Sequence, residues 1–213
     1  GLAVAGRALG RVRARLPEGA DRAAAEAILD VWCEVLDDHL AMLALAREKH
    51  AVSRAVSRAL SDPCLESGLD AALAVLAEAV RFDDLVLVFR PGDGEGALHG
   101  RWFARTPEGL TDRSRDARFG ELAPEVLGGR LDQLLERLGA RSHRQEEMLF
   151  GLRARSVIGR LVVCRREGEL SPPERDLVQI LADHLRQRLV DFSREHAQLS
   201  TTFAPSTVQR LLA

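Results

Sequence analysis

The chain has 213 residues, 46% of them hydrophobic and 29% charged, with a formal net charge of −2 at pH 7. These values fit a globular domain of ordinary size with room for extra helix. They argue against nucleic acid or an anionic membrane as partner. No apolar run approaches the ~20 residues that span a bilayer, and Gly1 to Gly10 lacks the apolar core of a signal peptide. Cys33, Cys64 and Cys164 are an odd, scattered set with no C-x-x-C pair, which suits small buried thiols in a reducing cytoplasm. Lys49 is the only lysine, a composition bias toward arginine and not a mechanism.

Residues 1–50 read as a partial copy of the stretch at 151–203. Leu9-Gly10-Arg11-Val12 matches Ile158-Gly159-Arg160-Leu161, and Gly19 matches Gly168 at the same offset. Asp38-His39-Leu40 then matches Asp183-His184-Leu185 at a slightly shorter one, and Arg47-Glu48 parallels Arg194-Glu195. Such self-similarity is the signature of a repeated strand-loop-helix unit. From Asp21, a plausible N-cap, to about Leu60 the pattern is helical. Trp32, Val35, Leu36, Leu40 and Leu43 form one apolar face, while Met42, Leu45, Lys49, Val52, Val56 and Ala59 fall at a/d spacing. Lys49 at an a position either fixes the register of a coiled coil or is a solvated side chain on an ordinary amphipathic helix.

Ser61-Asp62-Pro63 breaks that helix and starts another, with Asp62 as cap and Leu65, Leu69, Leu73, Leu76 and Val80 on one face. Leu85 to Phe89 reads as a buried strand, Pro91 to Gly96 as a turn and Ala97 to Arg105 as a second strand. Thr106 to Gly120 is polar and reads as a loop. Pro124 to Leu127 and Leu131 to Leu138 read as short helices punctuated by glycine, with a further strand at Ala140 to Glu146.

A hairpin of about 149–155 and 157–165 follows, turning at Arg155-Ser156. Ser171-Pro172-Pro173-Glu174 is a helix start: cap, Pro at the first helical position, Glu three residues beyond the cap. The helix carries two apolar stripes. Leu177, Ile180, Leu181 and His184 are expected to face a sheet. Val178, Ala182, Leu185, Leu189, Phe192, His196, Leu199 and Phe203 alternate steps of four and three, the spacing of a heptad seam. Val178, Leu185, Leu189, Phe192 and Leu199 are therefore expected to meet a second copy of the chain. Ala204-Pro205 ends the helix, and Ser206 with Gln209 forms the capping box of a new one.

The hairpin, charged loop, capped helix and long exit resemble the C-terminal end of a GAF domain, which carries a G-x-x-G-x-L-x-V strand and an (F/L)S-x-x-(D/E) cap. Here Ile158 to Val163, Glu169 to Glu174 and Leu177 to Leu189 carry the match. Helix, strand, Gly-rich turn and strand is also how GAF domains begin, so the resemblance covers about residues 50–200. Phe203 to Leu212 resembles the F-(S/A)-P-x-V-x-x-L-L linker that precedes the catalytic domain of bacterial class III adenylate/guanylate cyclases.

These resemblances imply an α+β fold, a GAF-like (PAS-related) antiparallel sheet flanked by helices. Long N- and C-terminal helices would form a dimeric bundle or coiled coil. They imply a partial upstream GAF-like tail at 1–50, a GAF domain at 51–200 and a linker at 201–213 to a cyclase domain in cis. The implied function is a cytoplasmic regulatory homodimer that transmits a signal to that cyclase and catalyses nothing itself. Phe203, Pro205, Val208, Leu211 and Leu212 would be the coupling residues, and the last three are expected to lack partners within the chain. The alternatives are a GAF sensor with a defined small ligand and a GAF-fold reductase.

Catalytic and metal motifs are missing from the sequence. His39, His50, His99, His143, His184 and His196 show no H-x-H, H-x-x-x-H or H-E-x-x-H spacing. Pro91 to Gly96 lacks the Lys-Ser/Thr of a phosphate loop. Cyclic-nucleotide-binding GAF domains carry an Asn-Lys…Phe…Asp-Glu motif, and this chain has no Asn; bilin-binding ones use a Cys-His pair, and no Cys here precedes a His. No cofactor is expected. If a small ligand binds, its wall is expected from His99, Arg101, Trp102 and Arg105 on the second strand, with His143 opposite. The other reading puts Trp102 and Phe103 in the core and the arginines in water.

Overall fold

The structure is a computed structural model that describes residues 2–4, 7–10, 12–91, 94, 96–152, 155–204, 207 and 208, with side chains from residue 10 onward. It divides into two compact units, Gly1–Ala51 and Val52–Ala213.

In the first unit, β1 (Leu2–Val4) and β2 (Arg7–Gly10) pair antiparallel. A bend at Gly19, φ 82°, precedes the long helix α1 (Arg22–Leu60). Asp21 caps α1, its Oδ1 accepting from Ala23 N at 2.9 Å and Ala24 N at 3.2 Å. The glycine that the repeat matches to Gly19 is Gly168, φ 71°, which also precedes a capped helix. A residue with a Cβ is strained at either position. The N-terminal part of α1 leaves large apolar side chains in water: Ile28, Val31, Trp32, Val35, Met42 and Leu43.

The second unit is α+β. Its open antiparallel sheet has the order β5-β4-β3-β7-β6, formed by β3 (Asp84–Phe89), β4 (His99–Thr106), β5 (Gly109–Asp112), β6 (Ser142–Gly151) and β7 (Ser156–Arg165). This architecture is compatible with a GAF-like fold. The two central strands are buried on both faces because both faces are covered. On one face lie the C-terminal turns of α1, helix α2 (Leu65–Ala79) and helix α5 (Pro172–Ser200). Val56, Leu69, Leu73, Leu76, Leu181 and Leu185 pack there on Leu85, Leu87, Leu161 and Val163. On the other face lie α3 (Ala117–Leu127) and α4 (Asp132–Leu138), whose Phe119, Val126, Leu134 and Leu138 cover Val86, Val88, Val162 and Cys164. Among the described residues no helix is long and apolar enough to cross a membrane.

Local signals place most boundaries. Ser171 accepts from Glu174 N while Glu174 accepts from Ser171 N at 2.8 Å, so the capping box forms as the sequence predicts. Burial alone would raise the Glu174 carboxyl, but hydrogen bonds from Ser171, Arg81 N and Arg165 outweigh it and bring it down to about 2.

Several expectations are corrected. Asp62 caps a turn, accepting from Cys64 N at 2.9 Å, and α2 starts at Leu65. The expected loop at 106–120 contains β5, which turns back on β4 through Pro107-Glu108 with Thr106 opposite Gly109, and Asp116 then caps α3. The separate strands expected at 140–146 and 149–155 are one strand, β6. Arg155, φ 47°, stands in the turn before β7. Helix α5 ends at Ser200, before Phe203, where Thr201 Oγ1 turns back to donate to Gln198 O at 2.6 Å.

The largest correction concerns the heptad stripe. Val178, Leu185, Leu189 and Phe192 are buried in the chain's own core, and Leu199 is half-buried. Their cover is α2 and the last turns of α1, in the same core as the sheet. A seam of alternating threes and fours fits any helix lying along it, including one from the same chain.

Candidate functional site

Strand β4 decides which of the expected ligand-wall residues can act together. Side chains alternate across a strand, and Phe103 looks toward α2 and α5. His99, Arg101 and Arg105 share that face, while Trp102 lies on the other. There Trp102 tilts against Phe119, and its Nε1 donates to Asp84 Oδ1 at 2.9 Å. Arg166 donates to the second oxygen of the fully buried Asp84 at 2.7 Å. A buried carboxylate with both oxygens engaged is a structural anchor. Trp102 is therefore removed from the wall, and so is His143, which is exposed on β6.

Arg105 also leaves the wall. Its Nε donates to Phe82 O at 3.0 Å, and its Nη2 donates to Ala77 O at 2.7 Å and Val80 O at 3.0 Å. The guanidinium also lies 5.1 Å above the Phe82 ring. It closes the C-terminal end of α2, whose last carbonyls lack helical partners.

His99 and Arg101 remain together, and they line a cavity of about 130 Å³ with Leu65, Glu66, Leu69, Phe89, Ala97, Gly100, Phe192 and His196. The His99 ring stacks on Phe89, centroids 5.0 Å apart and planes 13° apart. Phe192 stands edge-on to both rings at 5.8 Å. Burial first, then His196, pushes the His99 imidazole below its ordinary value of 6.5, with Glu66 opposing. Arg101 is held by three carboxylates: Glu66 at 3.4 Å, Asp70 at 3.0 Å and Asp112 at 3.2 Å. Asp70 is pushed above its ordinary value by burial, with Arg101 opposing and with Asp112 and Glu66 adding to the rise.

Sequence reasoning missed Glu66, Phe89, Phe192 and His196 as cavity residues. Phe192 and His196 belong to the stripe assigned to a second copy, and Phe89 to a buried strand. Only their convergence with β4 marks them.

The layer of α3 and α4, where a GAF domain would close over a ligand, packs directly on the sheet through apolar side chains. Cys164, on β7, faces that layer. Burial, with Asp84 and Asp83 adding and Arg166 opposing, pushes its thiol up to about 12, which disfavours the thiolate that redox chemistry needs.

Of the expected coupling residues, Phe203 is exposed, and Pro205, Leu211 and Leu212 lie outside the described residues, as do Ser206 and Gln209. Val208 is 1% exposed. The expectation that it lacks a partner within the chain is corrected.

Comparison with models of known protein families gives no match, and comparison with curated proteins gives none.

Proposed function

We propose that the chain is a regulatory segment whose second unit is a GAF-type domain, and that it acts as a homodimer on a nucleotide cyclase domain in cis. The observation that carries this reading is a shared core. The last turns of α1 and most of α5 pack on one face of the sheet, through Val52, Val56 and Leu60 on one side and Val178, Leu185 and Leu189 on the other. The helix that leads in and the helix that leads out therefore cannot shift independently, since a close-packed core has few alternative arrangements.

The dimer surface in this reading is the N-terminal part of α1. Ile28, Trp32, Val35 and Met42 recur at helical spacing in water, Trp32 at 59% and Met42 at 69% exposure. A parallel second copy of the same helix would cover each with its own counterpart. In this reading the seam lies on α1 alone, one of the two terminal helices expected to form it.

The test is a fusion of residues 1–213 to a class III cyclase catalytic domain. Ser53→Ala should change nucleotide cyclase activity several-fold while sedimentation still reports a dimer. Unchanged activity in that variant, or a monomeric parent at tens of micromolar (about the range where coiled coils of this length pair), rejects the reading.

A further inference from the structure

We infer that the cavity between α2, the β3–β4 pair and α5 binds a small neutral aromatic molecule, a single ring whose polar edge sets a hydrogen-bond acceptor beside a donor, as a carboxamide does. Size sets the first limit. A dry cavity of roughly 150 Å³ accepts benzene, and this one measures about 130 Å³. The walls set the second. Leu65, Leu69 and Phe192 with the Phe89–His99 stack form an apolar, aromatic lining suited to a ring and not to a sugar or phosphate.

Hydrogen bonding sets the third limit. Arg101 Nη2 donates to Asp70 at 3.0 Å and to Asp112 at 3.2 Å, and those two carboxylates line a separate groove between α2 and β5. Nη1 stands 3.4 Å from Glu66 Oε1, beyond the roughly 2.7–3.2 Å of a good N–H···O bond. Among the described residues the buried Nε has no acceptor. The guanidinium thus keeps unused donor capacity, and a buried donor without an acceptor is costly. A ligand carbonyl supplies that acceptor. Glu66 lines the same cavity with its side chain 62% exposed, so it can turn at small cost to accept from a ligand N–H beside the carbonyl. Charge sets the fourth limit. The lining pairs one carboxylate, Glu66, with one guanidinium, Arg101. His99, held below its ordinary value, adds no cation at neutral pH. An ammonium gains Glu66 but meets Arg101, and a carboxylate gains Arg101 but meets Glu66. An uncharged edge satisfies both. This inference stands apart from the cyclase reading, since it needs only the second unit's fold.

Single-ring probes separate the classes: benzamide, toluene, benzylamine and benzoate, titrated into the full 213-residue chain at about pH 8, above the ordinary titration of histidine. The ring-proton NMR signals of His99, His196 and Phe192 report binding. Benzamide should give saturable shifts at all three residues. It should bind about fivefold more tightly than toluene and about tenfold more tightly than benzylamine or benzoate. Glu66→Gln, at an exposed site, keeps an acceptor for the amide N–H and removes the charge that opposes an anion. It should leave benzamide within about threefold of the parent and strengthen benzoate about fivefold. Arg101→Met keeps an apolar stem without the donors, and should erase the advantage of benzamide over toluene. The inference is overturned if benzylamine, benzoate or toluene binds as tightly as benzamide, if benzamide gives no saturable shift, or if Glu66→Gln leaves benzoate affinity unchanged. None of these outcomes bears on dimerisation or cyclase output.

Discussion

Ser53 Oγ on α1 and His184 Nε2 on α5 lie 3.0 Å apart, a side-chain bond between residues distant in sequence that joins two helices on one face of the sheet. Ser53→Ala removes the partner of a half-buried imidazole nitrogen. The loss should be about 1 kcal/mol, or a fall of about 2–4 °C in melting temperature for a domain of this size. His184→Ala combined with Ser53→Ala should cost less than the sum of the single changes. Additive losses in that double-mutant cycle would show that the bond contributes nothing.

Arg105 should matter to stability rather than to binding. Arg105→Lys keeps the charge but not the geometry that reaches Phe82, Ala77 and Val80 carbonyls together. We expect a loss of about 2 kcal/mol in urea unfolding, near that of Arg105→Ala. A lysine variant as stable as the parent would contradict the clamp.

The two apolar stripes should respond oppositely to charge. Leu185 is fully buried, so Leu185→Asp should cost more than about 4 kcal/mol and unfold the second unit. Trp32→Glu with Val35→Glu changes exposed positions. These should leave circular dichroism and the melting transition of the second unit intact while converting dimer to monomer in sedimentation. A folded monomer from Leu185→Asp would return the seam to α5.

Acid should test the start of α5. The Glu174 carboxyl falls from an ordinary 4.5 to about 2 in the folded chain. A depressed carboxylate stabilises the fold fully above about pH 4.5 and loses that contribution as pH drops toward 2. Glu174→Gln should therefore flatten the acid limb of stability between those values and cost about 1 kcal/mol at neutral pH. The same acid slope in the variant and the parent would exclude Glu174 as its source.

Much of this architecture could be read locally. The start of α5 is written in Ser171-Pro172-Pro173-Glu174, β3 and β7 in their continuous apolar runs, and the end of α4 in Gly139, which takes φ 62°. Each depends on neighbours within one turn or one strand. Period two along β4 was also sufficient to part Trp102 from Arg101, although composition alone invited their grouping. The covering of faces was decided by tertiary structure alone. A heptad stripe carries the same pattern whether its partner is α2 of the same chain or a helix of another copy, because packing depends on complementary surfaces and not on chain connectivity. The cavity likewise draws Glu66, His99 and His196 from three elements far apart in sequence. No local signal links them, since what joins them is the sheet register and the way α2 and α5 lie across it.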